Sequence, residues 1–202
     1  MARLLVYFAH PAPHLSTVNV AMRRAAQQLD GFTFVDLYAE YPRFDIDVDT
    51  EQARLRDHDI IVFQFPFFWY STPSLIKEWQ DLVLEHGFAY GHGGEALAGK
   101  TMLLALTAAG PEEAYATEGY QHYPIRTFLT PLERTAGLCK MRFSAPYVMF
   151  GSLRAVGDDR LGPHVDGYVR LLTALRDDRL DLEAAVARDV LTPDTLPLSE
   201  DA

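Results

Sequence analysis

The chain has 202 residues, 49% of them apolar and 23% charged, which suits one domain with a real core and excludes a disordered chain. A formal net charge of −10 argues against nucleic acid or an anionic membrane as the main partner, although backbone N–H groups at a helix start can still bind an anion locally. Cys139 is the single cysteine, so no intrachain disulfide forms and a buried structural thiol in a cytoplasmic protein is expected.

The opening run "RLLVYFA" (Arg3–Ala9) is a short β-rich segment that stops at His10-Pro11; it is too short for a membrane span and lacks a cleavage-site pattern. "TVNVAMRRAAQQL" (Thr17–Leu29) carries apolar residues at helical spacing. "FTFVDLY" is a second strand and "EQARLRDH" a short helix. The acidic "DIDVDTE" between them lacks the spacing and glycine of a calcium loop and reads as a solvated stretch and helix cap. "DIIVFQFP" is a nearly unbroken apolar run, the signature of a strand covered on both faces. "SLIKEWQDLVLEH" is a helix with Leu75, Ile76, Trp79, Leu82 and Val83 on one side, Thr72 as its cap and Pro73 in its first turn. "KTMLLALT" is a fourth strand, and "PIRTFLTPLERTAGLC" is helical with a break at Pro131. "FSAPYVMFG" is a fifth strand in which Pro146 signals an edge or a bulge.

Strands and helices alternate five times, which specifies a parallel sheet with helices on both faces. Five strands favour the order 2-1-3-4-5, the flavodoxin-like form of the doubly wound α/β fold. Residues 1–151 hold this core; residues 152–202 are read as a helical extension of the same domain with a frayed tail.

Ligands in such sheets sit beyond the C-terminal strand ends, at the switch point. Three loops lie there. The first, His10–Asn19, has neither the glycines nor the Lys of a P-loop, but ends in Ser16-Thr17-Val18-Asn19 at a helix start. Ser16 or Thr17 suits an N-cap, and the same unpaired N–H groups suit a phosphate. His10 either ends the strand with a ring hydrogen bond or approaches a ligand. His10 and His14 are too close to prolines to form a helical metal pair. The second loop holds four consecutive aromatic residues, Phe67, Phe68, Trp69 and Tyr70. They cannot all face one core, so they need a planar cofactor, a partner subunit, or both to cover them. The third, Thr107–Tyr115, is small and glycine-bearing and brings backbone N–H groups close to a ring edge.

Together "YFAHPAPHLSTVN", "DIIVFQFPFFWYSTPSLIKEWQDLVLEHGFAYG", "GGEALAGK" and "PLERTAGLCKM" resemble the NAD(P)H:quinone oxidoreductases. The nearest branch in appearance is the short bacterial quinone reductases and the ancillary proteins of glutathione-gated potassium-efflux systems. The resemblance covers roughly Arg3–Gly151 and implies a flavodoxin-like fold, a homodimer, a bound FMN (FAD as the alternative) and NAD(P)H as co-substrate. It also implies a quinone or similar small acceptor, with no nucleic acid, no membrane insertion and a potassium-efflux transporter as a further partner, at which a cytoplasmic protein would be peripheral to the inner membrane. Flavin contacts carried over by motif fall on His10, Ser16, Thr17, Val18 and Asn19, on Phe67, Phe68, Trp69 and Tyr70, and on Thr107, Ala108, Ala109 and Gly110. The third loop departs from the family's Thr-Thr-Gly-Gly. Tyr115 stands for a family Tyr that handles the proton of flavin reduction, and its His partner aligns to Gln121 or, with a one-residue shift, His122. The expected activity is two-electron ping-pong transfer from NAD(P)H to a quinone; the alternative is an FMN-bearing regulatory subunit of the efflux system.

Overall fold

The apolar runs become the strands of one parallel sheet in the computed structural model, which describes residues 1–199. The strands are β1 (Leu4–Phe8), β2 (Phe32–Asp36), β3 (Ile60–Pro66), β4 (Thr101–Thr107), β5 (Arg142–Phe143) and β6 (Tyr147–Met149). β1, β3 and β4 are buried along their whole length, as befits strands with helices on both sides. The sheet order is β2-β1-β3-β4-β5 with β6 also pairing with β4, which is the order expected from the alternation of elements.

The fifth position is divided. β5 pairs with the start of β4 and β6 with its end. Between them Ser144, Ala145 and Pro146 oppose only Leu103 and Leu104, so the strand carries one extra residue. This is the bulge that Pro146 signals, since proline cannot donate to the ladder. Beyond β6 the chain's own tail covers the open edge: the Leu191 N–H donates to the Pro146 carbonyl at 2.8 Å, and the Val148 N–H to the Leu191 carbonyl at 3.0 Å. An exposed edge strand is thereby blunted.

The helices are α1 (Thr17–Ala26), α2 (Leu37–Glu40), α3 (Val48–Asp57), α4 (Ser74–Val83), α5 (Ile125–Phe128), α6 (Thr130–Leu138), α7 (Leu161–Arg176) and α8 (Leu182–Ala187). On one face, Val18 and Met22 of α1 and Tyr168, Leu171 and Leu172 of α7 pack against β1, β3 and β4. On the other, α3, α4 and α6 supply Leu55, Leu75, Ile76, Trp79, Val83, Leu132 and Ala136. Pro131 lies in the first turn of α6, and the chain breaks from α5 into α6 at Leu129.

Two local expectations are corrected. Thr72 does not cap α4; Pro73 occupies the cap position and no side chain bonds the first turn. In the acidic stretch, Asp47 caps α3 by accepting the Thr50 N–H at 3.0 Å, but Glu51 is fully buried rather than solvated. Its carboxylate accepts from the Tyr41 hydroxyl (2.7 Å), the Trp79 indole N–H (2.9 Å), the Tyr7 hydroxyl and the Arg54 guanidinium. Losing this acceptor would strand several buried donors, at about 1–3 kcal/mol each.

Candidate functional site

The loops after β1, β3 and β4 meet beyond the strand ends. In the first, a 3-10 turn (Pro13–Leu15) delivers the chain to Ser16, whose Oγ accepts the Asn19 N–H at 3.3 Å and caps α1. Capping uses that one donor. Among the described residues, the N–H groups of Thr17 and Val18 meet no acceptor, so the capped helix start keeps two donors of the kind that suit an anion. The Val18 and Asn19 side chains are buried; Val18 therefore offers a backbone donor, not a side chain. The buried His10 ring accepts the Ala12 N–H at Nδ1, 3.1 Å away. In the neutral ring the proton then lies on Nε2. Burial, then the nearby His14, pushes the His10 pKa down, so the ring is a neutral donor at physiological pH.

The second loop separates its four aromatic residues. Phe67 is buried against Phe128, Tyr115 and Tyr70. Phe68 meets His10 edge-on, with ring centroids 5.7 Å apart. Phe68 and Ser71 exchange both backbone hydrogen bonds (3.1 and 3.0 Å) around a two-residue turn. Its central residues, Trp69 and Tyr70, have φ of 48° and 63°. Such a turn normally takes Asn-Gly; two bulky residues in the left-handed region cost about 1–2 kcal/mol each. The turn folds Tyr70 back onto Phe128, stacked at 5.1 Å, and leaves Trp69 90% exposed. Backbone strain of this kind gathers at ligand-contacting loops. The Trp69 and Tyr70 N–H groups have no acceptor among the described residues.

The third loop leaves β4 at Thr107. Ala108 is buried and its N–H is spent on the Met149 carbonyl (2.8 Å), while those of Ala109 and Gly110 are free among the described residues. Ala108 is thus a wall and not a donor. A Cβ on Gly110 would lie 2.9 Å from the Tyr120 hydroxyl and 3.1 Å from Tyr115 Cε2, so glycine lets both tyrosines approach this loop without shifting. Phe67, Trp69, Tyr70, Ala109, Gly110, Tyr115, Tyr120 and Gln121 line an open cavity of about 290 Å³. Larger hollows of about 390 and 370 Å³ lie between α7 and the tail and between α4 and α6; neither joins the loop after β3 to the loop after β4, as the 290 Å³ cavity does.

Burial first, then Tyr120 and Tyr70, raises the Tyr115 pKa, so its hydroxyl keeps its proton near neutral pH. Of the two candidates for its partner, Gln121 lines the cavity. His122 is exposed, in the left-handed region at φ 62°, and outside the cavity lining. Tyr120 and Gln121, not among the flavin contacts carried over by motif, also line the cavity, and Phe128 packs against Phe67 and Tyr70. The signal available for them was the aromatic density of "YATEGYQHY" and the following helix.

The arrangement is a phosphate-sized cradle of N–H groups and a hydroxyl, a neutral imidazole donor, an aromatic slot and four N–H groups along its edge. That donor set fits FMN: an anionic end at α1 and a flat ring against the second and third loops. The sequence matches the family with the flavodoxin-like fold over residues 2–169. The chain belongs to that flavodoxin-like family. Among curated relatives, this flavodoxin-like chain is similar to a glutathione-regulated potassium-efflux system ancillary protein, KefG, of Pectobacterium atrosepticum, at 46% identity over 77% of this chain and 85% of the relative. Among solved structures it is similar to general stress protein 14 of Treponema denticola in complex with FMN, at 35% identity, TM-score 0.77, covering 87% of this chain and 98% of that one. A chain from a structure described as a thermophilic tryptophan halogenase from Streptomycin violaceusniger shares 42% identity, TM-score 0.79, over 81% and 95%. An NADPH-quinone reductase from P. pentosaceus shares 25% identity, TM-score 0.72, over 84% and 96%. Among the described residues, no group of three or more His, Cys, Asp or Glu side chains gathers to hold a metal, and no helix is long and apolar enough to cross a membrane.

Proposed function

We propose that this flavodoxin-like protein is an FMN-dependent NAD(P)H:quinone oxidoreductase. The observation that carries the proposal is the aromatic slot bordered by the second and third loops, whose N–H groups at Trp69, Tyr70, Ala109 and Gly110 have no acceptor among the described residues, together with the Thr17 and Val18 N–H groups that the Ser16 cap leaves over. FMN, when bound, supplies a two-electron carrier between a nicotinamide and a quinone. The chain's own residues bind and orient. The Thr17 and Val18 N–H groups, with the Ser16 hydroxyl, would hold the phosphate, and His10 Nε2–H adds a neutral donor beside Phe68. Phe67 and Tyr70 form the bed, and the N–H groups of Trp69, Tyr70, Ala109 and Gly110 would stabilise negative charge at the ring edge. Tyr115, in the cavity lining, would hold a proton at its hydroxyl, and Tyr120 and Gln121 would flank the slot in which donor and acceptor bind in turn. FMN is favoured over FAD because the FMN-bound relative aligns over almost its whole length and the sequence has no segment evidently added to cradle adenosine.

The exposed aromatic residues Phe68, Trp69, Tyr70, Tyr120 and Tyr123, with Leu82 and Leu138 beside the α4–α6 hollow, support a homodimer whose two-fold contact walls the slot. Residues 1–151 are proposed as the flavin-binding core and residues 152–202 as an extension of the same domain; the end of the expected frayed tail, residues 200–202, lies outside the described residues. A cytoplasmic location follows from the same proposal. One observation favours a second role: KefG relatives at 46% identity are ancillary proteins of a potassium-efflux system. In that role the chain docks on a transporter and reduction is secondary. The deciding experiment is NAD(P)H oxidation by the FMN-loaded chain with and without a benzoquinone. Quinone-dependent turnover is expected. An FMN-loaded chain without turnover that co-purifies with the efflux protein would support the ancillary role instead.

A further inference from the structure

Asn19 is fully buried at the start of α1, and its side-chain amide reaches two hydroxyls at once. Nδ2 donates to Thr107 Oγ1 at 2.7 Å and to Ser16 Oγ at 3.3 Å. Thr107 ends β4 and Ser16 caps α1, so one amide spans the first and third loops. The segment that carries it is held from β3: Gln64, also fully buried, donates Nε2–H to the Asn19 carbonyl at 2.9 Å. The amide oxygens of both residues are buried without partners.

We infer, on the strength of the flavin site proposed above, that Asn19 is a positioning residue that sets the direction of both hydroxyls, with Gln64 anchoring it. A hydroxyl has one proton and two acceptor sites, and an amide nitrogen has only protons to give. Because the Asn19 amide donates to Ser16 and Thr107, neither hydroxyl can turn its own proton toward Asn19. Among the described residues neither proton has an acceptor. Both protons are therefore left for a ligand, Ser16's at the start of α1 and Thr107's, on a residue itself buried at the end of β4, on the ring side. Turning the amide over would reverse both hydroxyls and bury an NH₂ group with no acceptor. Orphaned buried N–H groups are rarer than under-satisfied carbonyl oxygens, so the observed orientation is the stable one. This assigns Asn19 no direct contact with the ligand; it acts through two residues that make one.

The test measures FMN and riboflavin affinity, together with the melting temperature and the visible flavin spectrum, for Ser16→Ala, Thr107→Val, Asn19→Leu and their combinations. Ser16→Ala should weaken FMN and leave riboflavin, which has no phosphate, unchanged. Thr107→Val should weaken both, and Thr107→Ser should restore them. Asn19→Leu should weaken FMN by about tenfold or more and shift the bound-flavin spectrum, yet add little when the Ser16→Ala and Thr107→Val pair is already present. A folded Asn19→Leu chain with wild-type flavin affinity, or one whose loss adds in full to that pair, would overturn the inference. Should Asn19→Leu not fold, equal riboflavin affinity in Thr107→Val and Thr107→Ser overturns it instead. A wild-type chain that binds neither flavin would overturn the flavin site itself, so the two failures are distinguishable.

Discussion

Ser16→Asp separates helix capping from phosphate binding, because the two roles respond with opposite signs. Aspartate caps a helix as well as serine does, and a carboxylate at the N-terminus of α1 gains about 0.3–1 kcal/mol from the helix dipole. The ligand-free protein should therefore melt at the same temperature or slightly higher. A phosphate on the Thr17 and Val18 N–H groups would lie within a few ångströms of that carboxylate. Two unit charges about 4 Å apart repel by roughly 1 kcal/mol in water and roughly 4 kcal/mol in a surface-like dielectric. Ser16 is half-buried and a phosphate monoester is close to dianionic, so the penalty is about 2–8 kcal/mol, at least some 30-fold in affinity. Riboflavin lacks the phosphate and should bind the variant nearly as it binds the wild type. Fluorescence titration of both flavins, paired with thermal melts, reads all three quantities. A folded Ser16→Asp chain that binds FMN as tightly as the wild type would refute phosphate binding at α1.

Initial rates with NAD(P)H and a benzoquinone should give parallel double-reciprocal lines, because both substrates use one slot; intersecting lines would show two separate sites. Trp69→Glu places a charge at the exposed tip of the second loop and should convert a dimer of twice the 22.7 kDa chain mass into a monomer with little activity. A wild type that scatters light as a fully active monomer would instead show that the slot is complete within one chain. Stability should fall as pH drops below 6.5, since burial and then Arg160 hold the His164 pKa down, to about 3 against an ordinary 6.5, and burial holds His10 down too. The unfolded chain takes up these protons first, so the loss runs from pH 6.5 toward 3 and is at most about 1.4 kcal/mol per pH unit per histidine. Urea midpoints at pH 7 and pH 5 should move closer together in His164→Gln, and an unchanged gap would show that His164 does not drive the dependence.

The strands were legible in the sequence wherever burial on both faces made an unbroken apolar run, as in β1, β3 and β4. Pro146 announced the bulge because its effect on the ladder is local. What escaped depended on distant partners. Glu51 reads as one more charge in an acidic stretch; it turns inward because Tyr7, Tyr41 and Trp79 converge on it from other elements. The pairing of Leu191 with the sheet edge joins segments some forty residues apart and leaves no periodic trace. At the candidate site, the meeting of the three loops followed from the position of the switch point, whereas the individual residues came from the family resemblance. Gln121 lines the cavity while His122, in the left-handed region at φ 62°, lies outside the lining, a difference of backbone path that the sequence does not show. Gln64 is the one polar side chain in "IIVFQFP" and drew no reading from the sequence; its bond to the Asn19 carbonyl depends on a partner 45 residues away.

The most direct measurement is the absorption spectrum of the purified protein, followed by denaturation and mass spectrometry of the released small molecule. A yellow protein releasing FMN, close to one per chain, is the expected result. Release of FAD would contradict the assignment of FMN, and a colourless chain that takes up neither flavin would contradict the flavin site on which the proposed activity depends.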